Sequence, residues 1–153
     1  MFYNKYVYRI FAYSKNYKNA MYSKEEKLSL LSEMIDFAKA DKKIKDEEYN
    51  FILAIASQLE ITEEEIGYLV RSNAEKKHLQ PESQRILQFH RLVLLMNVDQ
   101  ETSQSEIHKI REMGLHMGLR SEAIDSVLKE MHNYPNKVIP PKDLIAIFTR
   151  FYN

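Results

Sequence analysis

Two acidic corners at equal spacing are the part of this sequence whose residue types could do chemistry. The first corner contains Asp41 and Glu48, and the second contains Asp99 and Glu106, in each case 58 residues further along the chain. Carboxylate oxygens are the ligands that hard divalent cations prefer, so this set would suit calcium, magnesium or manganese rather than zinc. The four acids are therefore the candidate metal-binding residues.

The same acids also have a structural interpretation, which we favour. Glu48 and Glu106 fall in the first turns of predicted helices, where a glutamate is stabilising without any ligand, and Ser103 with Glu106 fits a capping box. Asp41 and Asp99 follow the ends of helices, where the helix dipole disfavours a negative charge. A loop N–H group, a lysine or a cation must offset that charge. Three lysines lie close to Asp41 in the sequence.

The composition indicates a helical protein without disulfides or thiolate metal sites. The 153 residues include only 3 glycines and 4 prolines, and no cysteine, which favours helices over a turn-rich β fold. Basic and acidic residues number 22 each, so there is no basic surplus for nucleic-acid binding. No apolar stretch approaches the roughly 20 residues that a membrane span needs. We expect a cytoplasmic, single-domain, all-α protein.

About seven helices are predicted from apolar residues at helical spacing and from capping signals. They run from about Ser23 to Ala40, Asp46 to Leu59, Thr62 to Val70, Pro81 to Met96, Ser103 to Met117, Ser121 to His132 and 140 to 152. Residues 86–96 are apolar on most sides, which indicates the buried centre of a small domain. Gly118 is suited to the end of the fifth helix. The apolar stripe of the last helix is Leu144, Ile145, Ile147, Phe148 and Phe151. Phe148, Phe151 and Tyr152, with Tyr134 and Val138 before them, are expected to close the core rather than to dock a partner.

The two corners belong to a longer internal repeat. Residues 28–70 align with residues 86–128 without a gap, and apolar positions keep their phase through three helices and two loops. This pattern predicts one helical bundle with an internal helix–loop–helix duplication. Its halves span about 24–71 and 82–129, and the C-terminal helix at about 140–152 follows them.

Residues 1–20 differ in composition from the rest of the chain. They contain five tyrosines and four basic residues but no acid. We interpret them as a disordered leader, or as residues that result from placing the translation start upstream of the true start at Met21. The folded domain is assigned to residues 21–153. Peripheral contact of this segment with an anionic membrane is the interpretation that we favour less.

The first corner resembles the TerB-like family of tellurite-resistance proteins. Residues Ala40–Glu48 have its pattern of a helix ending in Ala-Asp, a short loop with Ile44 three residues after the Asp, and paired acids opening the next helix. The resemblance covers about residues 21–152. The sequence is also similar to a small stand-alone bacterial subtype of this family in three further segments, which are Leu31–Ile35, Phe89–Glu101 and Tyr134–Pro141. It implies a compact all-helical domain with an internal duplication, and metal binding at the acidic residues.

No catalytic motif accompanies these features. The only glycines are Gly67, Gly114 and Gly118, so no glycine-rich phosphate loop is present, and the five histidines form no H-E-x-x-H motif. A hydrolase that uses the acids with a bound metal is the least favoured hypothesis, and two others come before it. The first is a non-enzymatic, stress-associated protein that binds a divalent cation through Asp41, Glu48, Asp99 and Glu106. The second is a helical interaction scaffold whose acids are structural and bind no metal. We expect an unknown protein partner and no nucleic acid.

Overall fold

The computed structural model describes residues 22–40, 43–72, 75, 77, 82–99 and 101–151. Within these ranges the regular structure is entirely helical, which confirms the predicted all-α class. The seven described α-helices are α1 (Lys24–Lys39), α2 (Asp46–Gln58), α3 (Glu63–Arg71), α4 (Glu82–Met96), α5 (Gln104–His116), α6 (Ser121–Glu130) and α7 (Pro141–Thr149). Two short 3-10 helices, Met131–Asn133 and Pro135–Lys137, connect α6 to α7. None of the helices in these ranges is long and apolar enough to cross a membrane.

The described chain divides into two compact units near residue 80. The N-terminal unit holds α1 to α3, and the C-terminal unit holds α4 to α7. The predicted leader at residues 1–20 lies outside the described residues, as does Asp41.

Reciprocal hydrogen bonds determine where two helices of the N-terminal unit begin. The Ser23 hydroxyl accepts from the N–H of Glu26 at 3.1 Å, and the Thr62 hydroxyl accepts from the N–H of Glu65 at 3.2 Å. Each glutamate in turn accepts from the N–H of its cap residue, so two of the three capping boxes that the sequence predicts are confirmed in full. Glu65 also pairs with Lys24, and this hydrogen bond lowers the pKa of the Glu65 carboxyl.

Aliphatic side chains hold the three helices of the N-terminal unit together. Each of α1, α2 and α3 contacts the other two. The most deeply buried aliphatic residues of these helices are Leu31, Met34, Ile35, Ile52, Ile55, Ile66 and Leu69. Burying one such side chain contributes about 1.5–3 kcal/mol, so tertiary packing rather than helix propensity dominates the stability of these short helices.

Helix α4 is the buried centre of the C-terminal unit, as its apolar sequence predicted. It contacts α5, and α6 contacts both α5 and α7. The ring of Phe89 on α4 meets Phe148 on α7 edge to face, with centroids 6.2 Å apart and an interplanar angle of 81°. Sequence periodicity did not anticipate that four polar residues of α4 would also be buried: Gln84, Gln88, His90 and Arg91.

Two arginines of α4 find partners close to the core. Arg85 donates from Nη1 to the carbonyl of Met117 at 2.7 Å, which satisfies a carbonyl at the end of α5. Arg91 donates from Nη1 to Oε1 of Gln88 at 3.2 Å, one turn earlier on the same helix. These bonds satisfy part of the polar surface that α4 carries inside the unit, whereas Nε of Arg85 is buried without a partner among the described residues.

The segment after α6 differs from the predicted last helix. Helix α7 covers Pro141–Thr149, shorter than the predicted span of about 140–152, and residues 152–153 lie outside the described part. Ile145 is 53 % exposed rather than part of the apolar stripe. Val138 and Phe148 are buried, and the Tyr134 hydroxyl donates to Asp143 at 3.0 Å. Val138 and Phe148 therefore close the core as predicted, whereas Tyr134 and Phe151 are half-buried and Tyr152 lies outside the described residues.

His90 is buried in α4 and must be neutral in the folded protein. Its Nε2 lies 2.9 Å from the carbonyl oxygen of Ile139. Because a carbonyl only accepts, Nε2 carries the proton and Nδ1 does not. Nδ1 has no hydrogen-bond partner among the described residues. Burial and, to a lesser extent, the nearby positive charge of Arg91 together lower the pKa of His90 to about 4, against the opposing effect of the hydrogen bond to the Ile139 carbonyl.

This burial predicts a specific loss of stability in acid. The unfolded chain takes up the His90 proton below about pH 6.5 and the folded chain only near pH 4, so protons favour unfolding between these values. The free energy of unfolding should fall by about 2 kcal/mol more between pH 7 and pH 5 for wild type than for His90→Gln. Urea unfolding at both pH values measures it, with exposed His108→Gln as the matched control. Identical pH dependence in wild type and His90→Gln would contradict this account.

Helices α2 and α5 each end in a turn that contains one residue in the left-handed backbone conformation. Glu60 has φ of +59° and Gly118 has φ of +77°. In both turns the residue after the left-handed one donates its N–H to the carbonyl five positions earlier. Ile61 donates to Ala56 at 2.8 Å, and Leu119 donates to Gly114 at 3.1 Å. This is a Schellman motif, and it confirms the predicted C-cap role of Gly118. A glutamate in that conformation is strained, which the sequence did not indicate.

The helix boundaries repeat with the predicted spacing. The starts of α4, α5 and α6 lie 58 residues after those of α1, α2 and α3. The left-handed residues Glu60 and Gly118 are separated by the same interval. These local matches support the duplication, which stays a prediction.

The left-handed turns at Glu60 and Gly118 should respond oppositely to substitution. Glu60→Gly should raise the free energy of unfolding by about 0.5–1 kcal/mol, because relief of left-handed strain exceeds the entropy cost of glycine. Gly118→Ala should lower it by about 1 kcal/mol or more, since the added methyl is strained at φ +77° and would lie 2.8 Å from Nη1 of Arg85. Denaturant unfolding checks both. Glu60→Ala is the control, because it removes the same side chain but keeps a Cβ in the left-handed conformation. If Glu60→Gly has no higher free energy of unfolding than Glu60→Ala, the strain is disproved.

Candidate functional site

The first acidic corner uses Glu48 to begin α2. Oε1 of Glu48 accepts from the backbone N–H of Lys45 at 3.0 Å, and the N–H of Tyr49 donates to the Lys45 carbonyl at 2.9 Å. A carboxylate here satisfies an N–H group at the helix start and lies at the favourable end of the helix dipole. Glu48 thus has the structural role that we favoured. Its predicted neighbour Asp41 lies outside the described residues.

The second acidic corner is closed by its own backbone. Oδ1 of Asp99 accepts from the N–H of Glu101 at 3.0 Å, a turn that aspartate commonly forms. The N–H of Glu106 donates to the hydroxyl of Ser103 at 3.1 Å, which caps α5 and is one of the two hydrogen bonds of the capping box predicted here. The turn supplies the loop N–H group that we expected to offset an aspartate after a helix end.

A buried polar chain places a lysine beside the second corner. The Asn97 side chain is fully buried, and its Oδ1 accepts from the hydroxyl of Thr102 at 2.8 Å. The same hydroxyl accepts from Nζ of Lys137 at 3.2 Å. Nδ2 of Asn97 lies 3.4 Å from the sulfur of Met131. The loop from 97 to 102 is therefore tied to the segment after α6, and an ammonium group already lies against it.

The acids of the second corner fit a divalent cation poorly. A calcium site needs six or more converging oxygens, whereas Asp99 is engaged with a backbone N–H and Lys137 brings a positive charge to the loop. No group of three His, Asp or Glu residues within the described ranges is arranged to hold a metal ion. Asp41 is outside those ranges, so metal binding through Asp41, Glu48, Asp99 and Glu106 stays a prediction.

A pocket in the N-terminal unit lies next to the first corner. Its volume is about 530 Å³, and it is an open depression of the surface rather than an enclosed cavity. The lining residues come from the end of α1, the following loop, the first turn of α2 and the end of α3. They are Lys39, Lys43, Ile44, Asp46, Tyr49 and Val70. The sequence showed these residues as parts of separate helix ends, and periodicity alone does not bring α3 to the corner.

Lys39 is held at this pocket by a hydrogen bond. Its Nζ donates to the carbonyl oxygen of Val70 in the last turn of α3. A lysine at a helix C-terminus is favourable because the last carbonyls carry partial negative charge. This bond places one ammonium group of the pocket lining against the end of α3.

Comparison with known proteins adds no relative. No protein-family model, curated protein or solved structure matches the chain. The resemblance to the TerB-like family therefore stays a prediction that rests on the residues quoted above.

If Asp99 is structural, its acceptor oxygen should matter for stability and its negative charge should not. Asp99→Asn keeps an oxygen that can accept from Glu101 and should change the free energy of unfolding by less than about 0.5 kcal/mol. Asp99→Ala removes the acceptor and should cost about 1 kcal/mol. Thermal unfolding in EDTA and with calcium, magnesium or manganese should give the same differences.

Calorimetry supplies the opposing outcome. The metal hypothesis requires heat of binding for wild type with one of the three cations, and loss of that heat in Asp99→Asn. Such a result would overturn the structural account of this corner.

Proposed function

We propose that the protein is a non-enzymatic helical scaffold that binds a partner protein through its N-terminal unit. The observation that carries the proposal is the pocket lined by Ile44, Tyr49 and Val70, with lysines at Lys39 and Lys43. The three apolar or aromatic side chains are only half-buried. An apolar side chain entering the pocket would remove more of their surface from water, which is the usual energetic basis of an interface anchor.

The roles of the acids support a scaffold over a metal protein. The carboxylate of Glu48 is bonded at the start of α2, and that of Asp99 is bonded within its own turn. These bonds give Glu48 and Asp99 a structural role that needs no cofactor. The equal spacing of the two corners then reflects two similar helix–loop–helix units and not two halves of a metal site.

The cellular setting is proposed from the resemblance. TerB-like proteins are associated with tellurite resistance and stress, and we extend this association to the present chain as a bacterial, cytoplasmic scaffold. Cation binding through the acidic corners is an alternative within the same family.

Site-specific photo-crosslinking in cells tests the scaffold. The crosslinking amino acid benzoylphenylalanine replaces exposed Glu47, which follows the pocket-lining Asp46. We expect a discrete protein adduct, weakened roughly fivefold by Val70→Gln because about 1 kcal/mol of apolar burial is lost. Benzoylphenylalanine at exposed Lys129 on α6 is the matched control. An adduct that Val70→Gln leaves unchanged, or one formed equally from position 129, would overturn the proposal.

A further inference from the structure

One side of helix α3 presents an aromatic ring, a glycine and two opposite charges. Glu64, Gly67, Tyr68 and Arg71 recur at helical spacing, so they share one side of the helix, and we call them the α3 face. Tyr68 is 63 % exposed, more than any other large hydrophobic residue that the structure describes. None of the four residues lines the pocket beside the first corner. The α3 face is therefore a separate exposed surface of the N-terminal unit.

Gly67 is a glycine in the interior of α3 that the fold does not require. Glycine is unfavourable inside a helix, and the φ angle of Gly67 is not positive. Among the described residues, a Cβ at this position would meet only Nη1 of Arg71, at 3.7 Å, which is ordinary van der Waals contact. At Gly114 on α5, by contrast, a Cβ would lie 2.7 Å from Ile124. Gly67 therefore leaves a gap on the surface of α3 into which another ring or backbone can approach closely.

The two charges of the α3 face lie symmetrically about Gly67 and Tyr68. Glu64 lies three residues before Gly67, and Arg71 lies three residues after Tyr68. Neither the Glu64 carboxylate nor the Arg71 guanidinium forms an ion pair with another described residue. A two-fold axis that relates two antiparallel copies of α3 between positions 67 and 68 brings each acid opposite a base and each ring opposite a gap. The α3 face is therefore complementary to itself in both charge and shape.

We infer that the protein forms a symmetric dimer in which two α3 helices pack antiparallel through this face. Tyr68 fills the gap at Gly67 of the partner subunit, and Glu64 pairs with Arg71 of the partner subunit at both ends of the contact. Opposite charges alone would fit many partners, whereas the two-fold match of charge and shape selects a second copy of this chain.

The short contact makes this a weak dimer. Helix α3 has 9 residues and is about 14 Å long, so the interface falls at the small end of specific protein contacts. We expect a Kd on the order of 100 µM. Such a dimer goes beyond the proposed function, because it carries two pockets and its formation does not depend on what a pocket binds.

Helix α6 has the charges of the α3 face but neither its gap nor its ring. Glu122 and Lys129 occupy the positions in α6 that the acid and the base of the α3 face occupy in α3. Between them lie Asp125 and Ser126, and Asp125 is paired with Arg111 at 2.8 Å. Charge reversal at Glu122 is therefore the matched control, because it also places a positive charge in the first turn of a helix.

Sedimentation equilibrium of the full chain from about 10 µM to 1 mM tests the dimer. Wild type should fit a monomer–dimer equilibrium. Glu64→Arg and Arg71→Glu should each weaken the dimer about tenfold or more, because each puts like charges together at both ends of the contact. The double variant Glu64→Arg/Arg71→Glu exchanges the charges and should return the Kd to within about threefold of wild type. Glu122→Arg should leave the Kd unchanged.

Gly67→Leu tests the gap independently of the charges. The leucine side chain would occupy the space that Tyr68 of the partner subunit needs, so this variant should stay monomeric. Its melting temperature should be no lower than that of monomeric wild type, because leucine favours a helix more than glycine does. Circular dichroism of each variant verifies that it is folded.

Four results would overturn the dimer. The first is wild type that stays monomeric at about 1 mM. The others are a dimer that either single charge reversal leaves intact, one that the double variant does not restore, and one that Glu122→Arg weakens as much as Glu64→Arg does.

Discussion

The need to satisfy backbone groups at helix ends governs how this chain uses its polar residues. Every helix leaves N–H groups at its start and carbonyls at its end without partners inside the helix. Ser23, Thr62 and Ser103 accept from three helix starts, and Glu48 accepts at a fourth. Arg85 donates to the end of α5. In short helices, these bonds determine where each element stops and therefore where the corners between helices lie.

That constraint supports the structural interpretation of the acidic corners. A carboxylate at a loop looks like a metal ligand in sequence, but the carboxylates of Glu48 and Asp99 are acceptors for backbone N–H groups. The ammonium of Lys137 reaches the second corner through Thr102, from a segment 35 residues away. The binding chemistry that the described residues support best therefore moves from the acids to the apolar pocket beside the first corner.

The sequence predicted the helices well because their signals are local. Capping at Ser23 and Thr62 and the end of α5 at Gly118 follow from residue types within one turn of each other. Features that depend on distant residues were missed. Nothing local marks Glu60 as left-handed, His90 as buried and neutral, or Val70 as part of a pocket with the loop after α1. The sequence showed the acids as two equally spaced corners, but it did not show which N–H groups bond to Glu48 and Asp99.

Amide hydrogen exchange at the two corners tests most directly whether the acids are structural. The N–H groups of Lys45 and Glu101 each donate to a carboxylate, of Glu48 and Asp99 respectively. Our account predicts that both amides exchange more slowly than unstructured ones in EDTA, and that adding calcium, magnesium or manganese leaves their rates unchanged. Protection that develops only when a cation is added would contradict it.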